Sequence, residues 1–204
     1  GPPGSTVRHL LAHASGLDFD QPGPIAPVGR RRIYSNTGFD TVAAHLAQRA
    51  GIAFETYLDE AVLSPLGMSH TELRGSPARD AFSTTADLSK FARELLAPTL
   101  VHPSTLAMAT TTQFAGLGGV LPGVGRFELN DWGLGFELRT HKQPHWTGPL
   151  NSPQTFGHFG GSGTFMWIDP RADLGCVVLT DREFGPCALE AWPALSDAVV
   201  SGAR

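Results

Sequence analysis

The hydrophobic pattern of this chain changes its period once, near residue 130. Before that point apolar residues recur at the spacing of helices. After it the segments DWGLGFELR, QTFGHF, GTFMWIDP and LGCVVLTD are short, rich in β-formers and separated by turn residues. The closing ALEAWPALSDAVV returns to helical spacing and is expected to cover one face of the sheet. Helices followed by antiparallel strands predict an α+β fold.

The clearest helix is predicted over 36–50, where the apolar residues fall on one face and Gly51 follows as a left-handed terminator. The segment STTADLSKFARELLAP begins with Thr84 three residues before Asp87, a relative of the capping box. Shorter helices are predicted after Ser5 or Thr6, over 54–62 and over 104–111. The Gly-rich FAGLGGVLPGVG is interpreted as a loop.

Composition and charge exclude several classes of partner. The formal net charge is −4, and the only basic cluster is Arg30, Arg31 and Arg32, so neither nucleic acid nor an anionic membrane is an expected partner. The three arginines are interpreted as a solvated loop rather than an anion site, and no role is assigned to them. No apolar run is long enough to span a bilayer, and the opening GPPGSTVRHL lacks the apolar core of a signal peptide.

The residues that most often bind metals offer no site in this sequence. Cys176 and Cys187 are interpreted as ordinary buried thiols rather than as a disulfide or metal pair. His141 and His145 in HKQPH are separated by a proline and have no carboxylate or cysteine partner nearby, so a metal site is rejected. No cofactor is expected.

Tyr34, Ser35 and Asn36 stand directly before the helix predicted over 36–50. In the structural interpretation Tyr34 packs onto the first helical turn and Asn36 caps the helix. In the functional interpretation the tyrosine faces a substrate. The local pattern alone favours the structural interpretation without excluding the other.

His158 lies in the Gly-rich strand GHFGGSGTF, where Gly160, Gly161 and Gly163 remove side-chain bulk and would let a backbone approach a ligand. This neighbourhood makes His158 a better candidate than an average histidine. A lone strand histidine is nevertheless more often a hydrogen-bonded structural residue. Both interpretations stay open at the level of the local pattern.

Read in order, several blocks resemble the family of serine β-lactamases and penicillin-binding-protein-like enzymes. The blocks are VRHLLAHASGL, YSNTGFDTVAAHLAQRAGIAFETYLDEAVLSPLGMSHTEL, FSTTADLSKFARELL, WGLGFELR, GHFGGSGTFMWIDP and LGCVVLTD. More narrowly, the chain resembles the class C-type branch, which includes DD-carboxypeptidases, D-aminopeptidases and esterases. The resemblance covers nearly the whole chain and implies a β-lactamase/transpeptidase-like fold, with an antiparallel sheet flanked by helices and a helical region.

The resemblance implies roles for five residues. The family's Tyr-x-Asn element corresponds to Tyr34 and Asn36, and its Lys-Thr-Gly or His-x-Gly element corresponds to His158 and Gly160 in the His-x-Gly version. It implies that Tyr34 and His158 are catalytic and that Asn36 positions the substrate. It further implies that Gly160 and Gly161 border the oxyanion site, with the Gly161 N–H as a donor.

The family's first element, Ser-x-x-Lys, does not occur in these 204 residues, because Lys90 and Lys142 follow Asp87 and Arg139 at that spacing. We therefore expect an N-terminally truncated chain that lacks the nucleophile helix and the first strands. The expected organisation is the C-terminal portion of a single β-lactamase-like domain over 1–204. Residues 1–130 would be mainly helical, and 131–204 would hold the sheet strands and the last helix.

The function implied is that of a serine hydrolase that forms an acyl-enzyme from an ester, an amide or a D-amino-acid peptide. Without its nucleophile the chain as written is expected to be inactive. The alternative is a non-catalytic binding protein that retains the pocket. The expected partner is a small-molecule or peptide substrate. Family members occur both exported and in the cytoplasm, so the compartment and the oligomeric state stay open.

Overall fold

The computed structural model describes residues 1–203. The helices are α1 Val7–Leu11, α2 Asn36–Ala50, α3 Phe54–Leu58 with a π-helical turn over Asp59–Leu63, α4 Thr85–Leu96, α5 Pro103–Ala109 and α6 Pro186–Gly202. The strands are β1 Glu72–Leu73, β2 Ala81–Phe82, β3 Gly119–Leu121, β4 Gly125–Phe127, β5 Glu137–Leu138, β6 Phe156–Gly160, β7 Thr164–Asp169 and β8 Leu174–Val178. The predicted α+β fold is confirmed.

Hydroxyl side chains determine where two of the long helices begin. Thr84 Oγ1 accepts a hydrogen bond from the Asp87 N–H at 3.2 Å, as the capping pattern predicts. At α2 the cap is Ser35, whose Oγ accepts from the Gly38 N–H at 3.0 Å. The structural interpretation in which Asn36 caps this helix is therefore wrong. Asn36 is the first helical residue, and its side-chain amide is left for other contacts.

The main sheet contains four antiparallel strands in the order β5-β6-β7-β8. Glu137 pairs with Gly157, and His158 pairs with Met166, which places the histidine in the middle of β6. Within residues 1–203 the last strand, β8, pairs only with β7. The tight turn from β6 to β7 keeps the residues after His158 at one end of the sheet.

Helices cover both faces of this sheet, as the family resemblance implied, whereas the local pattern had placed only the C-terminal helix against it. On one face Ala92 and Leu95 of α4 pack with Ile168 of β7. On the opposite face α6 contributes Trp192, which packs with Trp167 in the largest buried cluster. Alternate strand residues point to opposite faces, so β7 supplies apolar side chains to both layers.

The Gly-rich segment that was interpreted as a loop instead forms the β3–β4 hairpin. Gly119 on β3 lies against the chain at Arg32, and a Cβ placed at Gly119 would meet the Arg32 carbonyl oxygen at 2.5 Å. The glycine therefore serves a close approach of two backbones rather than loop flexibility. With the β1–β2 hairpin, this puts two hairpins into the region 1–130 that was predicted to be mainly helical.

Arg32 is buried, so the prediction of a solvated arginine run is wrong at this position. Its Nε donates to the Asn130 carbonyl at 3.0 Å, and one terminal nitrogen donates to the Ala12 carbonyl at 2.7 Å. The other terminal nitrogen donates to the carbonyls of Gln113 and Phe114. One guanidinium thus joins three separate segments, because its donors diverge in a rigid plane.

We expect Arg32→Gln to be strongly destabilising. A buried acceptor that loses its donor costs about 1–3 kcal/mol, and Gln can satisfy only part of this set, so the free energy of unfolding should fall by at least about 3 kcal/mol. Urea denaturation measures the loss. Arg31→Gln next to it is the control, because Arg31 is exposed and its replacement should change stability by no more than about 0.5 kcal/mol. Equal losses in the two variants would contradict the role of Arg32.

Candidate active site

The five predicted site residues line one cleft, with a volume of about 730 Å³. Tyr34 and Asn36 reach it from the start of α2, and His158, Gly160 and Gly161 reach it from the end of β6. The ring centroids of Tyr34 and His158 are 5.7 Å apart. The fold therefore brings together two segments that are distant in sequence, and a small group fits beside both rings.

Trp132 forms the wall of the cleft between these two rings. It is 2% exposed, and its ring lies 5.7 Å from that of His158 and 5.9 Å from that of Tyr34. Phe19 closes the outer side, 5.6 Å from the Tyr34 ring. The sequence pattern indicates only that Trp132 belongs to a strand block. A tryptophan buried beside two polar aromatic rings keeps water from surrounding them.

His13 lies behind Tyr34; it is buried within an aromatic group that no sequence motif indicated. Its ring centroid is 4.6 Å from that of Tyr34 and 4.4 Å from that of Trp132. Its Nδ1 accepts a hydrogen bond from the Ser35 N–H at 3.1 Å, so the proton of the neutral ring is on Nε2. His13 thereby contacts Tyr34 and holds the backbone at the start of α2.

Burial keeps His13 neutral. Desolvation lowers the pKa of His13 well below 6.5, and the nearby His158 and Arg32 lower it further. Its Nε2 has no hydrogen-bond partner within residues 1–203. A proton added to Nδ1 would also break the bond to Ser35. The structure around Tyr34 therefore depends on an uncharged imidazole.

The two candidate catalytic side chains are both uncharged at neutral pH. Burial, with a further contribution from Asp20, raises the pKa of Tyr34 to about 12. Burial lowers the pKa of His158, although the charge of Glu137 acts in the opposite direction. His158 therefore does not supply the positive charge that would favour a Tyr34 phenolate. A deprotonated Tyr34 requires a cation from another group.

Asn36 is oriented by a carboxylate at the mouth of the cleft. Its Nδ2 donates to Asp20 Oδ1 at 2.8 Å, and a guanidinium nitrogen of Arg79 lies 2.9 Å from the same oxygen. The amide of Asn36 thus has its NH₂ group engaged and its oxygen available as an acceptor. Asp20 and Arg79 lie in irregular loops, where no periodic pattern marks a residue as part of a site.

Glu137 on β5 is a buried anion that also borders the cleft. It accepts from Lys142 Nζ at 2.5 Å, from the Trp146 indole at 3.1 Å, and pairs with His145 Nε2 at 3.0 Å. Burial alone would raise the pKa of Glu137, but His145 and Lys142 lower it to about 2. This cluster gives the buried His145 a hydrogen-bond partner and places the Glu137 carboxylate, paired with Lys142, on the strand next to β6.

The glycines after His158 serve different purposes. Gly163 has a φ of +82°, and a Cβ there would meet the Arg182 carbonyl oxygen at 1.7 Å, so it is required by the turn and its packing. A Cβ at Gly160 would meet Thr164 Oγ1 at 3.0 Å, whereas Gly161 faces open space. Gly161 is thus the position at which a ligand has room beside the backbone.

Features that would indicate a metal centre or a membrane span do not occur in the described part of the chain. Across residues 1–203 no group of three His, Cys, Asp or Glu side chains could hold a metal ion. Over the same residues no helix is long and apolar enough to cross a bilayer. Both cysteines are free; Cys176 is buried as expected, whereas Cys187 is exposed, so the prediction that it is buried is wrong.

We expect stability to depend on the neutrality of His13. Because the folded pKa of His13 is depressed, the unfolded chain binds a proton below pH 6.5 that the folded chain excludes, and stability is lost as the pH falls. In His13→Asn the pH dependence of the free energy of unfolding should be shallower by up to about 1.4 kcal/mol per pH unit. Urea denaturation between neutral and mildly acidic pH measures it.

His13→Leu serves as the companion variant. It also removes the titrating group, but leucine offers no acceptor to the Ser35 N–H. In His13→Asn the side-chain oxygen of asparagine can take the place of the histidine Nδ1 as that acceptor. At neutral pH His13→Leu should therefore be less stable than His13→Asn, by about 1–3 kcal/mol. If the free energy of unfolding fell with pH as steeply in both variants as in the wild type, His13 would not be the group that causes the loss of stability at acidic pH.

We expect the Tyr34 phenol to titrate near pH 12, and Asp20 to be one cause. Tyr34 and Tyr57 are the only tyrosines in the chain, so Tyr57→Phe leaves a single phenol to follow by ultraviolet absorbance. In that background Asp20→Asn should lower the midpoint, because it removes a negative charge. Asp173→Asn, in the turn between β7 and β8, should not move it. Circular dichroism confirms that the chain stays folded, and a midpoint near pH 10 with the fold intact would contradict the burial of Tyr34.

Two solved structures share this fold over nearly the whole chain. A β-lactamase from Mycobacterium bovis is 57% identical, with a TM-score of 0.97 over all of this chain and 76% of its own. A LovD6 mutant of simvastatin synthase from Aspergillus terreus is 17% identical, with a TM-score of 0.79 over 98% of this chain and 66% of its own. The second likeness shows the fold alone.

Sequence comparison agrees with the structural comparison. The D-alanyl-D-alanine-carboxypeptidase/endopeptidase AmpH of Escherichia coli is 24% identical over 87% of this chain and 58% of its own length. The chain thus spans little more than half the length of this relative. The family model described as Beta-lactamase matches residues 2–200. The chain belongs to the Beta-lactamase family.

Proposed function

We propose that this chain carries the tyrosine–histidine half of the acyl-transfer site of a serine hydrolase of the β-lactamase/DD-peptidase/esterase type. The observation that supports this most is the convergence of Tyr34, Asn36 and His158 on one cleft in a member of the Beta-lactamase family. The substrate class is an ester, an amide or a D-amino-acid peptide. The chain would form the C-terminal portion of a single β-lactamase-like domain.

In this proposal a serine hydroxyl enters the cleft beside Tyr34 and attacks the substrate carbonyl. Tyr34 accepts the serine proton and passes it to the leaving oxygen or nitrogen, and water then releases the acyl group. Because burial raises the pKa of Tyr34 to about 12, Tyr34 acts as a base only beside a cation. The lysine of a Ser-x-x-Lys element meets this requirement, since His158 is neutral.

Asn36 and Gly161 would position the substrate. The Asn36 oxygen is available to accept from the lysine or from a substrate N–H, because Asp20 already holds its NH₂ group. The Gly161 N–H would be one donor to the developing oxyanion, with Gly160 shaping the approach. Losing one such donor typically costs about 3 kcal/mol of transition-state stabilisation.

We infer that the 204 residues alone do not turn over substrate, because they contain no Ser-x-x-Lys. The same observation favours one rival function. A cleft that keeps Tyr34, Asn36 and His158 without a nucleophile would suit a non-catalytic protein that binds the same class of ligand. The two functions differ in whether an acyl-enzyme ever forms.

The test compares the 204-residue chain with the same chain extended at its N-terminus by a segment carrying Ser-x-x-Lys. A cooperative thermal transition first establishes that each protein folds. A chromogenic ester and a chromogenic β-lactam should be hydrolysed by the extended protein only. In it Tyr34→Phe should lower kcat by about 10²–10⁴-fold, and the exposed Tyr57→Phe is the matched control that should not.

Two outcomes would overturn the proposal. Turnover by the 204 residues alone that is lost in Ser162→Ala would identify a different nucleophile. Binding of a D-Ala-D-Ala peptide by both proteins, with no turnover by either, would instead support the binding-protein alternative.

A further inference from the structure

A second cavity of about 490 Å³ adjoins the cleft. Phe19, Tyr34 and Pro122 line both, so the two cavities border each other at these three residues. The walls of the second cavity come from the segment 30–34, the loop before it and the β3–β4 hairpin. A ligand whose reacting group lies beside Tyr34 can therefore extend into this space.

The second cavity is positively charged. Arg30, Arg31 and Arg126 line it, and none of the acidic side chains in residues 1–203 does. All three are exposed, and within residues 1–203 none of them has a carboxylate oxygen within 4 Å. The adjoining cleft differs, since Asp20 and Glu137 border it. Three guanidinium groups without anionic partners around one cavity are suited to an anionic ligand.

The same cavity has an apolar wall. Ile25 is 54% exposed and Val120 is 48% exposed, although both are large apolar side chains. Phe19, at the junction with the cleft, is 44% exposed. Apolar side chains that stay in water on either side of a set of arginines indicate a ligand with an apolar stretch and a charged end.

We propose that this cavity, which we name the arginine subsite, binds the anionic end of the substrate, a carboxylate or a phosphate at the end of an apolar stretch. The arginine subsite consists of Arg30, Arg31 and Arg126 with the apolar wall of Ile25 and Val120. That this anion belongs to the substrate rests on the proposed function. The sequence pattern alone indicates no role for the arginine run. In the fold Arg32 holds three segments together, and its two neighbours line the cavity.

Calorimetry with the 204-residue chain tests the arginine subsite without any need for turnover. The probes are hexanoate, hexyl phosphate and 1-hexanol, which share one apolar chain and differ in the end group. Both anions should bind at least about tenfold more tightly than hexanol, and their affinity should fall as salt is added. The tighter of the two anions identifies the end group as carboxylate or phosphate.

The triple variant Arg30→Gln, Arg31→Gln, Arg126→Gln should weaken both anions by about tenfold or more, since each exposed charge contributes modestly and three act together. Binding of hexanol should not change. Arg49→Gln is the matched control, because Arg49 is an exposed arginine in the last turn of α2. The proposal would be overturned if the anions and hexanol bound with equal affinity. It would also be overturned if Arg49→Gln lost as much affinity for the anions as the triple variant.

In the extended protein the same triple variant should lower kcat/KM for an ester that ends in a carboxylate or phosphate. It should leave kcat/KM for a neutral ester unchanged. If the extended protein turns over both esters and the variant affects both equally, the arginine subsite does not hold substrate and the proposal fails. Arginine-dependent binding of the probes without turnover of any ester would overturn the proposed function while supporting the arginine subsite.

Discussion

The buried guanidinium of Arg32 is the contact on which the site depends. It binds carbonyl groups at Ala12, at Gln113 and Phe114, and at Asn130. Ala12 directly precedes His13, Asn130 lies two residues before Trp132, and Arg32 itself lies two residues before Tyr34. Three members of the aromatic group around the cleft are therefore held, through the backbone, by one side chain.

A buried charge is costly unless its donors are satisfied, and here the backbone carbonyls satisfy them. Burial lowers the pKa of Arg32 to about 10, against the opposing charge of Asp131, so the guanidinium stays protonated at neutral pH. Removing the side chain would leave carbonyl groups from three segments without donors. The position of Tyr34 relative to His158 is thus a consequence of a polar network rather than of apolar packing alone.

The electrostatics of the cleft follow from burial. Burial keeps Tyr34 protonated and keeps His13 and His158 neutral, while the charged groups Asp20 and Glu137 are each paired with a cation. A cleft of this kind has little unpaired charge of its own beside Tyr34. A cation brought beside Tyr34 would act in a poorly screened environment, where its effect on the phenol is large.

Local sequence determined the helices, the main strands and the family. The apolar spacing over 36–50 with Gly51, the hydroxyl of Thr84 and the alternation in β6 and β7 depend on residues a few positions apart, so they can be read from the chain itself. The ordered motif blocks identified Tyr34, Asn36, His158, Gly160 and Gly161 as candidates, and their catalytic roles stay predictions. Only the tertiary structure decided that these residues line one cleft, that Arg32 is buried while Arg31 is not, that Gly119 lies against Arg32, and that His13 supports Tyr34. Each of these depends on contacts between segments up to more than a hundred residues apart. The spacing of residues within one segment does not indicate which distant group will bury a given side chain.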